Sequence, residues 1–370
     1  METEIIPHSG EPDLSREWWR FFTEKKAGRL LGMGVRPLAW ANGGCGSVRR
    51  KLYSAGVMHT KKLPCAVISV GNLTMGGTGK TPAVISIVRT LTRKGLRAAV
   101  VSRGYRGKYA AETAIVSDGE NLLMSPEEAG DEPYMIARAL DSAPVIVGKD
   151  RYSAGLLAWE KFGAQAVVLD DGYQQLGLVK DLNILLVNWQ SSKGELRLFP
   201  LGALRESLTQ VSRADIILYT MYDEKQKHPP PIALAEGAPA FRSKHKPVGL
   251  RSIVDDRSLS LESAKGKKAL AFCGIARPGY FLNTLQEVGV KVVDFVAYPD
   301  HHHFTGRDLA ALAERTKSAC AEMAITTEKD AVKIEGRLTG DPPFLALSVD
   351  LSLLEHQKEW EWFLTGAVKT

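Results

Sequence analysis

From Leu63 to about Thr220 the chain alternates between short, almost wholly apolar runs and longer stretches of helical period. The apolar runs cover 65–70, 97–102, 113–116, 145–147, 166–169, 182–187 and 216–219. Runs of that length without polar alternation are expected as strands buried on both faces. Between them, 82–94 and 127–140 return apolar residues every three or four positions, as helices do. Buried strands separated by helices predict a mostly parallel sheet covered on both sides.

The pattern breaks at Pro229-Pro230-Pro231. Alternating residues over 240–254 read as an extended connector, and a second α/β pattern begins at Lys268. It comprises strands at 269–274, 292–298, 323–326 and 344–347, helices at 280–288 and 307–320, and a last amphipathic helix at 353–364. The expected organisation is an N-terminal arm (1–62), a first α/β domain (63–228), a connector (229–265) and a second, smaller α/β domain (266–370) that includes the last helix. Two such lobes are expected to enclose a cleft, a common setting for phosphoryl transfer.

The arm has a different texture. Trp18, Trp19, Phe21 and Phe22 stand beside Lys25, Lys26 and Arg29, and a mostly apolar stretch over 30–48 ends in Arg49-Arg50-Lys51. Several glycines, Pro37, Arg36 and Asn42 interrupt that stretch too often for a spanning helix, and no signal-peptide cleavage site is evident. Aromatics next to basic residues suit an element lying in the headgroup layer of an anionic membrane. A helical arm packed on the main domain is the alternative.

Composition narrows the setting. An apolar content of 44% with 24% charged residues over 370 positions is that of a globular protein of two domains and an appendage. The four cysteines, Cys45, Cys65, Cys273 and Cys320, have no C-x-x-C spacing, which argues against a disulfide framework or zinc site and for a reducing cytoplasm. A formal charge of +6 asks for an anionic partner. Nucleic acid is disfavoured, because no basic run is interleaved with aromatics.

Candidate chemistry begins where the first strand ends. Thr74, Met75, Gly76, Gly77, Thr78, Gly79, Lys80 and Thr81 form a glycine-rich turn opening a helix. Such a turn aims successive backbone N–H groups at phosphates, with Lys80 reaching the β- and γ-phosphates and Thr81 placed to ligate Mg²⁺. Thr74 stands where the strict pattern has glycine. A dinucleotide-binding turn fits less well, since G-x-G-x-x-G is absent and Lys80 would have no task.

An apolar strand then ends in Asp170-Asp171, acids suited to Mg²⁺ at the carboxyl end of a parallel sheet. Adjacent strand residues face opposite ways, so the two should not share a role unless the strand has already turned. Asp131 opens a helix with Pro133 in its first turn and could be an ordinary N-cap. Arg103 or Arg106, after the second strand, could approach phosphates. In the second lobe, Asp300-His301-His302-His303 ends a strand; one histidine in a proton relay is favoured over a metal centre. Ile325-Thr-Thr-Glu-Lys-Asp330 also ends a strand and could line the same cleft or cap the next helix.

Taken in order, these motifs resemble the tetraacyldisaccharide 4′-kinases of lipid A biosynthesis. The resemblance rests on Gly71-Asn-Leu-Thr-Met-Gly-Gly-Thr-Gly-Lys-Thr81, Ser102-Arg-Gly-Tyr105, Ala129-Gly-Asp-Glu-Pro133, Leu169-Asp-Asp-Gly-Tyr-Gln174 and Asp181-Leu-Asn-Ile184. Pro200-Leu-Gly-Ala-Leu-Arg-Glu206, Pro299-Asp-His301 and Thr326-Thr-Glu-Lys-Asp330 complete it. It implies transfer of the ATP γ-phosphoryl group to the 4′-hydroxyl of a membrane-held tetraacyldisaccharide 1-phosphate, giving lipid IVA at the cytoplasmic face of the inner membrane. It also implies an Asp–His dyad of Asp131 and His301, an ATP loop over Thr74 to Thr81, and Asp170, Asp171 and Glu206 at the Mg²⁺–nucleotide site. The family accepts a small hydroxyl residue at Thr74. It often has Gly-Phe-Gln-His where this chain has Gly172-Tyr-Gln-Gln175, and it gives His302 and His303 no role. Two rival readings are a P-loop nucleotide switch that delivers a metal or partner, and a soluble small-molecule kinase whose arm merely packs or oligomerises.

Overall fold

The computed structural model describes residues 29–105, 107–108, 113–192, 196–224, 232, 237–338 and 340–369. The aromatic cluster Trp18 to Phe22 and Arg106 lie outside them. The chain divides into two compact units. The smaller is Lys246–Asp350; the larger takes the other described residues, including those after 350.

The larger unit is built on β1 (Ala66–Asn72), β2 (Ala98–Ser102), β3 (Ala114–Ser117), β4 (Val145–Val147), β5 (Ala166–Asp170), β6 (Leu182–Asn188), β7 (Ile216–Thr220) and the first residues of β8 (Ala240–Ser252). Their order across the sheet is β8-β7-β6-β1-β5-β2-β4-β3. All neighbours run parallel except β3, which is antiparallel to β4 at the edge. β2, β4, β5, β6 and β7 are buried throughout, as expected of strands covered by helices on both faces.

The helix Lys80–Arg93 follows β1, and its apolar positions Val84, Ile87, Val88 and Leu91 are fully buried in the core on one face of the sheet. The helix Arg151–Phe162, which its weak periodicity hid at the sequence level, buries Ala154 and Ala158 in the core on the other face. The stretch 127–140, read as one helix, is two: Pro126–Ala129 and Asp131–Ala139, broken at Gly130. There φ is 92°, and a Cβ would stand 2.6 Å from the Tyr105 carbonyl oxygen, so only glycine fits without strain.

The closing helix runs over Gln357–Lys369. The sequence places it in the second domain, but Trp360 and Leu364 are buried in the core beneath β1, beside Phe241 at a ring separation of 5.2 Å. Amphipathic spacing specifies a buried face, not which sheet covers it. Near the other end of the chain, the arm forms a 26-residue helix, Arg29–Ser54, despite Pro37. Among the described residues no helix is long and apolar enough to cross a membrane.

The smaller unit carries the rest of β8, β9 (Ser258–Leu259), β10 (Lys268–Cys273), β11 (Lys291–Ala297), β12 (Met323–Thr327) and β13 (Phe344–Leu353) as far as Asp350. Its parallel order is β11-β10-β12-β13, with β9 antiparallel to β8. The helices Pro278–Val288 and Gly306–Ser318 cover opposite faces, one core holding Phe281 and Leu285 and the other Leu309 and Leu312.

Candidate active site

Three adjacent strands shape the glycine turn from below. At the end of β1, Asn72 Nδ2 donates to Thr78 Oγ1 at 2.8 Å. At the end of β7, Thr220 Oγ1 donates to the Thr78 carbonyl at 2.8 Å, and at the end of β6, Asn188 Nδ2 lies 3.4 Å from the Gly77 carbonyl. The turn is thus fixed in advance of any ligand. Gly79 takes φ 74°, and a Cβ there would meet His245 Nε2 at 2.9 Å. Burial holds the His245 imidazole down to about 4, so it packs on the turn as a neutral ring.

Lys80 leaves this turn and reaches Asn72 Oδ1 at 3.4 Å and Asp171 Oδ1 at 3.7 Å. Asp171 has φ 54°, so the strand has ended at Asp170 and the paired acids are not bound to opposite faces. Arg205 Nη1 donates to Asp171 Oδ2 at 2.7 Å. Burial pushes the Asp171 carboxyl up, but Lys80 and Arg205 outweigh it and hold the group below its ordinary range. Asp170 is buried and accepts from Ser102 Oγ at 2.9 Å. Burial first, then the nearby charges of Glu132 and Asp171, push Asp170 up to about 6, against the pull of Lys80. Arg151 is buried near both acids and near Arg103, with Nη1 donating to the Gly148 carbonyl at 2.6 Å.

Asp131 is the first residue of its helix, after Gly130, with Glu132 next to it and Asp170 within the electrostatic reach of Glu132. The loop after β2 closes on itself, the Gly107 N–H donating to the Gly104 carbonyl, and is tied to the preceding helix Pro126–Ala129, the Lys108 N–H donating to the Glu127 carbonyl.

Glu206, grouped with the acids from the resemblance, is held elsewhere. Its carboxylate takes Arg50 Nη1 at 3.2 Å and Arg213 Nη2 at 2.9 Å. The arm helix therefore rests on the acid-bearing segment. Arg49 Nη2 approaches the Gln174 carbonyl at 3.5 Å, a Cβ on Gly177 would lie 3.1 Å from Tyr53 Oη, and Gln174 Nε2 donates to the Asn72 carbonyl at 2.7 Å. Lys180, under the same loop, donates to the Tyr173 carbonyl at 3.1 Å, and burial beside Arg213 brings it down to about 7.

In the smaller unit His301 follows β11 with φ 60°, its N–H donating to the Gly274 carbonyl at 3.1 Å and its Nε2 lying 3.1 Å from Lys329 Nζ. His302 is occupied structurally: it stacks on Tyr298 at 4.5 Å and meets Asp308 at 3.2 Å. The sequence singled out Thr74 to Thr81, Asp170 and Asp171, and the structure gathers Lys80 with both acids. Sequence reasoning missed Asn72, Ser102, Glu132, Arg151 and Arg205 as members of this group. Asn72, Ser102, Glu132 and Arg205 each lie inside one of the family motifs, which is the signal they left; Arg151 lies in none of them.

A preformed glycine turn, a lysine at its mouth and paired acids at the carboxyl ends of parallel strands define a P-loop phosphoryl-transfer protein. The particular branch comes from relatives. The chain matches the LpxK family, tetraacyldisaccharide-1-P 4′-kinase, over residues 31–369. It is 40% identical over 334 residues to the tetraacyldisaccharide 4′-kinase of Syntrophus aciditrophicus, covering 87% of this chain and 89% of that one. It is 39% identical over 348 residues to that of Desulfatibacillum aliphaticivorans, covering 92% and 94%. The crystal structure of LpxK from Aquifex aeolicus in complex with ATP superposes with a TM-score of 0.74 at 34% identity, over 91% of this chain and 99% of that one. The chain belongs to the tetraacyldisaccharide 4′-kinase family, phosphotransferases with an alcohol acceptor.

Proposed function

We propose that the chain phosphorylates the 4′-hydroxyl of a tetraacyldisaccharide 1-phosphate with ATP, working at the cytoplasmic face of the inner membrane with its arm helix on the lipid surface. The observation that carries the reading is Lys80 standing between the glycine turn and Asp171, where a terminal phosphate would sit. The turn's N–H groups and the start of the helix Lys80–Arg93 cradle the phosphate chain, and Lys80 offsets charge on the transferring group.

The residues present fit Mg²⁺. Asp170 Oδ1 and Asp171 Oδ1 are buried with no hydrogen bond, and together with the Thr81 hydroxyl they make a hard, all-oxygen donor set. An ion held there by Asp170, Asp171 and Thr81 would supply neutralisation of the phosphate charge. Among the described residues no three His, Cys, Asp or Glu side chains form a cage, and Mg²⁺ ordinarily completes its shell with phosphates and water. Glu206, the other acid of the expected set, is neutralised by Arg50 and Arg213, and its neighbour in the chain, Arg205, is the residue that reaches Asp171.

Asp131 is assigned as acceptor of the sugar hydroxyl's proton and His301 as its partner, because an alcohol is a weak nucleophile until a base takes its proton. The two belong to different compact units. The test is transfer of labelled γ-phosphate to the disaccharide lipid in detergent. Asp131→Ala and His301→Ala should each lower kcat at least roughly 100-fold with ATP binding retained, and the double variant should lose little more. Nucleotide hydrolysis without labelled lipid would favour a switch, and full turnover by either variant would discard the dyad.

A further inference from the structure

The short helix Glu328–Ala331 after β12 puts Lys329 beside His301. The Lys329 Nζ is 3.1 Å from His301 Nε2 and 3.5 Å from Asp300 Oδ1. Both partners of the Lys329–His301 contact are tied to the same buried group. Asp330 is fully buried, accepts from the Gly274 N–H and from Thr327 Oγ1, each at 2.8 Å, and pairs with Lys333 at 2.9 Å. Gly274 in turn supplies the carbonyl that takes the His301 N–H. Asp330 therefore fixes the backbone under the imidazole and the helical turn that carries the ammonium.

An ammonium has three donors and no acceptor. The ring nitrogen it faces must present a lone pair, and in a neutral imidazole the proton then resides on the other nitrogen. We propose that Lys329 is a positioning residue that holds His301 as the tautomer protonated on Nδ1. That tautomer makes Nδ1–H the donor to a carboxylate, the part the Asp131–His301 reading gives this ring, and the inference rests on that reading for its catalytic meaning. It also gives Lys329 of the Thr326-to-Asp330 motif a task that capping or loop-lining did not. Asp300, at the same ammonium, balances its charge, so that lysine and imidazole meet without an unpaired cation between them.

The test is nitrogen NMR of the full chain labelled with ¹⁵N-histidine, in detergent at a pH where His301 is neutral, with His301→Gln identifying the resonances. The expected result is a proton on Nδ1 and a lone-pair shift at Nε2, inverting to Nε2–H in Lys329→Met and retained in Lys329→Arg. Finding Nε2–H in the unsubstituted protein, or no change of tautomer in Lys329→Met, overturns the proposal. In turnover, Lys329→Met should lower kcat roughly 10- to 100-fold, the range for losing a group that orients a functional histidine, with KM for ATP within about twofold and recovery in Lys329→Arg. An unchanged kcat in a Lys329→Met protein with the inverted tautomer removes the positioning role. If His301→Gln alone leaves turnover intact, the dyad fails while the tautomer result stands on its own.

Discussion

At the scale of single residues the site is organised by opposed electrostatic demands. Asp171 is kept anionic by Lys80 and Arg205, whereas Asp170, one position away, is driven toward its protonated form by burial and by neighbouring acids. A carboxyl that binds protons at about 6 in the folded state and near ~3.9 when unfolded makes the native state the better proton binder between those values. Stability contributed by the protonated group is complete below about pH 4 and lost as pH rises through about 6. Metal-free Asp170→Asn protein should therefore be more stable than the parent at pH 7.5, by about 3 kcal/mol, and melt higher, and the gap should close toward pH 4. The same variant should lose Mg²⁺-dependent phosphoryl transfer. Calorimetry across pH, beside a turnover assay, checks both; a lower melting temperature at pH 7.5 would refute the account.

What the sequence made legible at this scale was chemistry with a fixed local spacing. Lys80 and Thr81 follow a glycine turn, and Asp170-Asp171 close an apolar run, so their neighbours in the chain announce them. Ser102, Arg151, Glu132 and Arg205 come from four other places along the chain. Only the order of strands across the sheet brings them to the acids, and no periodicity encodes that order. Glu206 shows the converse: its motif is local, yet its partners Arg50 and Arg213 come from another helix and another turn.

Among the elements, strands were the easiest to read. A run buried on both faces has no alternative that leaves it dry, and every strand expected in the first sheet is present within two residues at either end. Helices were read less completely, because a short amphipathic stretch is compatible with a break. Gly130 is such a break, and it sets where Asp131 begins its helix. Gly130→Ala should cost about 1–3 kcal/mol of strain, since φ 92° disfavours any Cβ and the Tyr105 carbonyl blocks it. Because Asp131 moves with that turn, kcat should fall more than ATP affinity, a split that steady-state kinetics and nucleotide titration will detect. A second element-scale test concerns the arm. Arg50→Ala removes one of two cations on Glu206, the residue that follows Arg205 in the chain, so KM for ATP should rise, by roughly fivefold. An unchanged KM would mean that the arm helix rests on the loop without influencing it.

For the whole molecule, a second α/β pattern was legible from Lys268 onward, but the place where the units divide, at Lys246 within β8, and the home of the last helix were not. Its buried face joins Phe241 in the larger unit, so the chain returns to its first sheet after completing its second. Trp360→Ala should destabilise the protein by about 3–5 kcal/mol, as expected for a fully buried tryptophan. Hydrogen exchange should show the loss in β1 and in the helix Lys80–Arg93 rather than in β10 to β13. Protection lost equally in both units would contradict the assignment.

The docking of the arm helix on the loop that follows Asp171 has a thermodynamic corollary. Arg49, Arg50 and Tyr53 contact the polypeptide a few residues from the groups that would grip phosphate, which predicts that occupancy at either end is felt at the other. Linkage is symmetrical: if bilayer adsorption tightens nucleotide retention by some factor, nucleotide must tighten adsorption by the same factor. Vesicle partitioning measured with and without ADP would read that factor directly: a factor above one would make a lipid surface an effector of this kinase, and a factor of one would leave the docking of the arm without consequence for nucleotide.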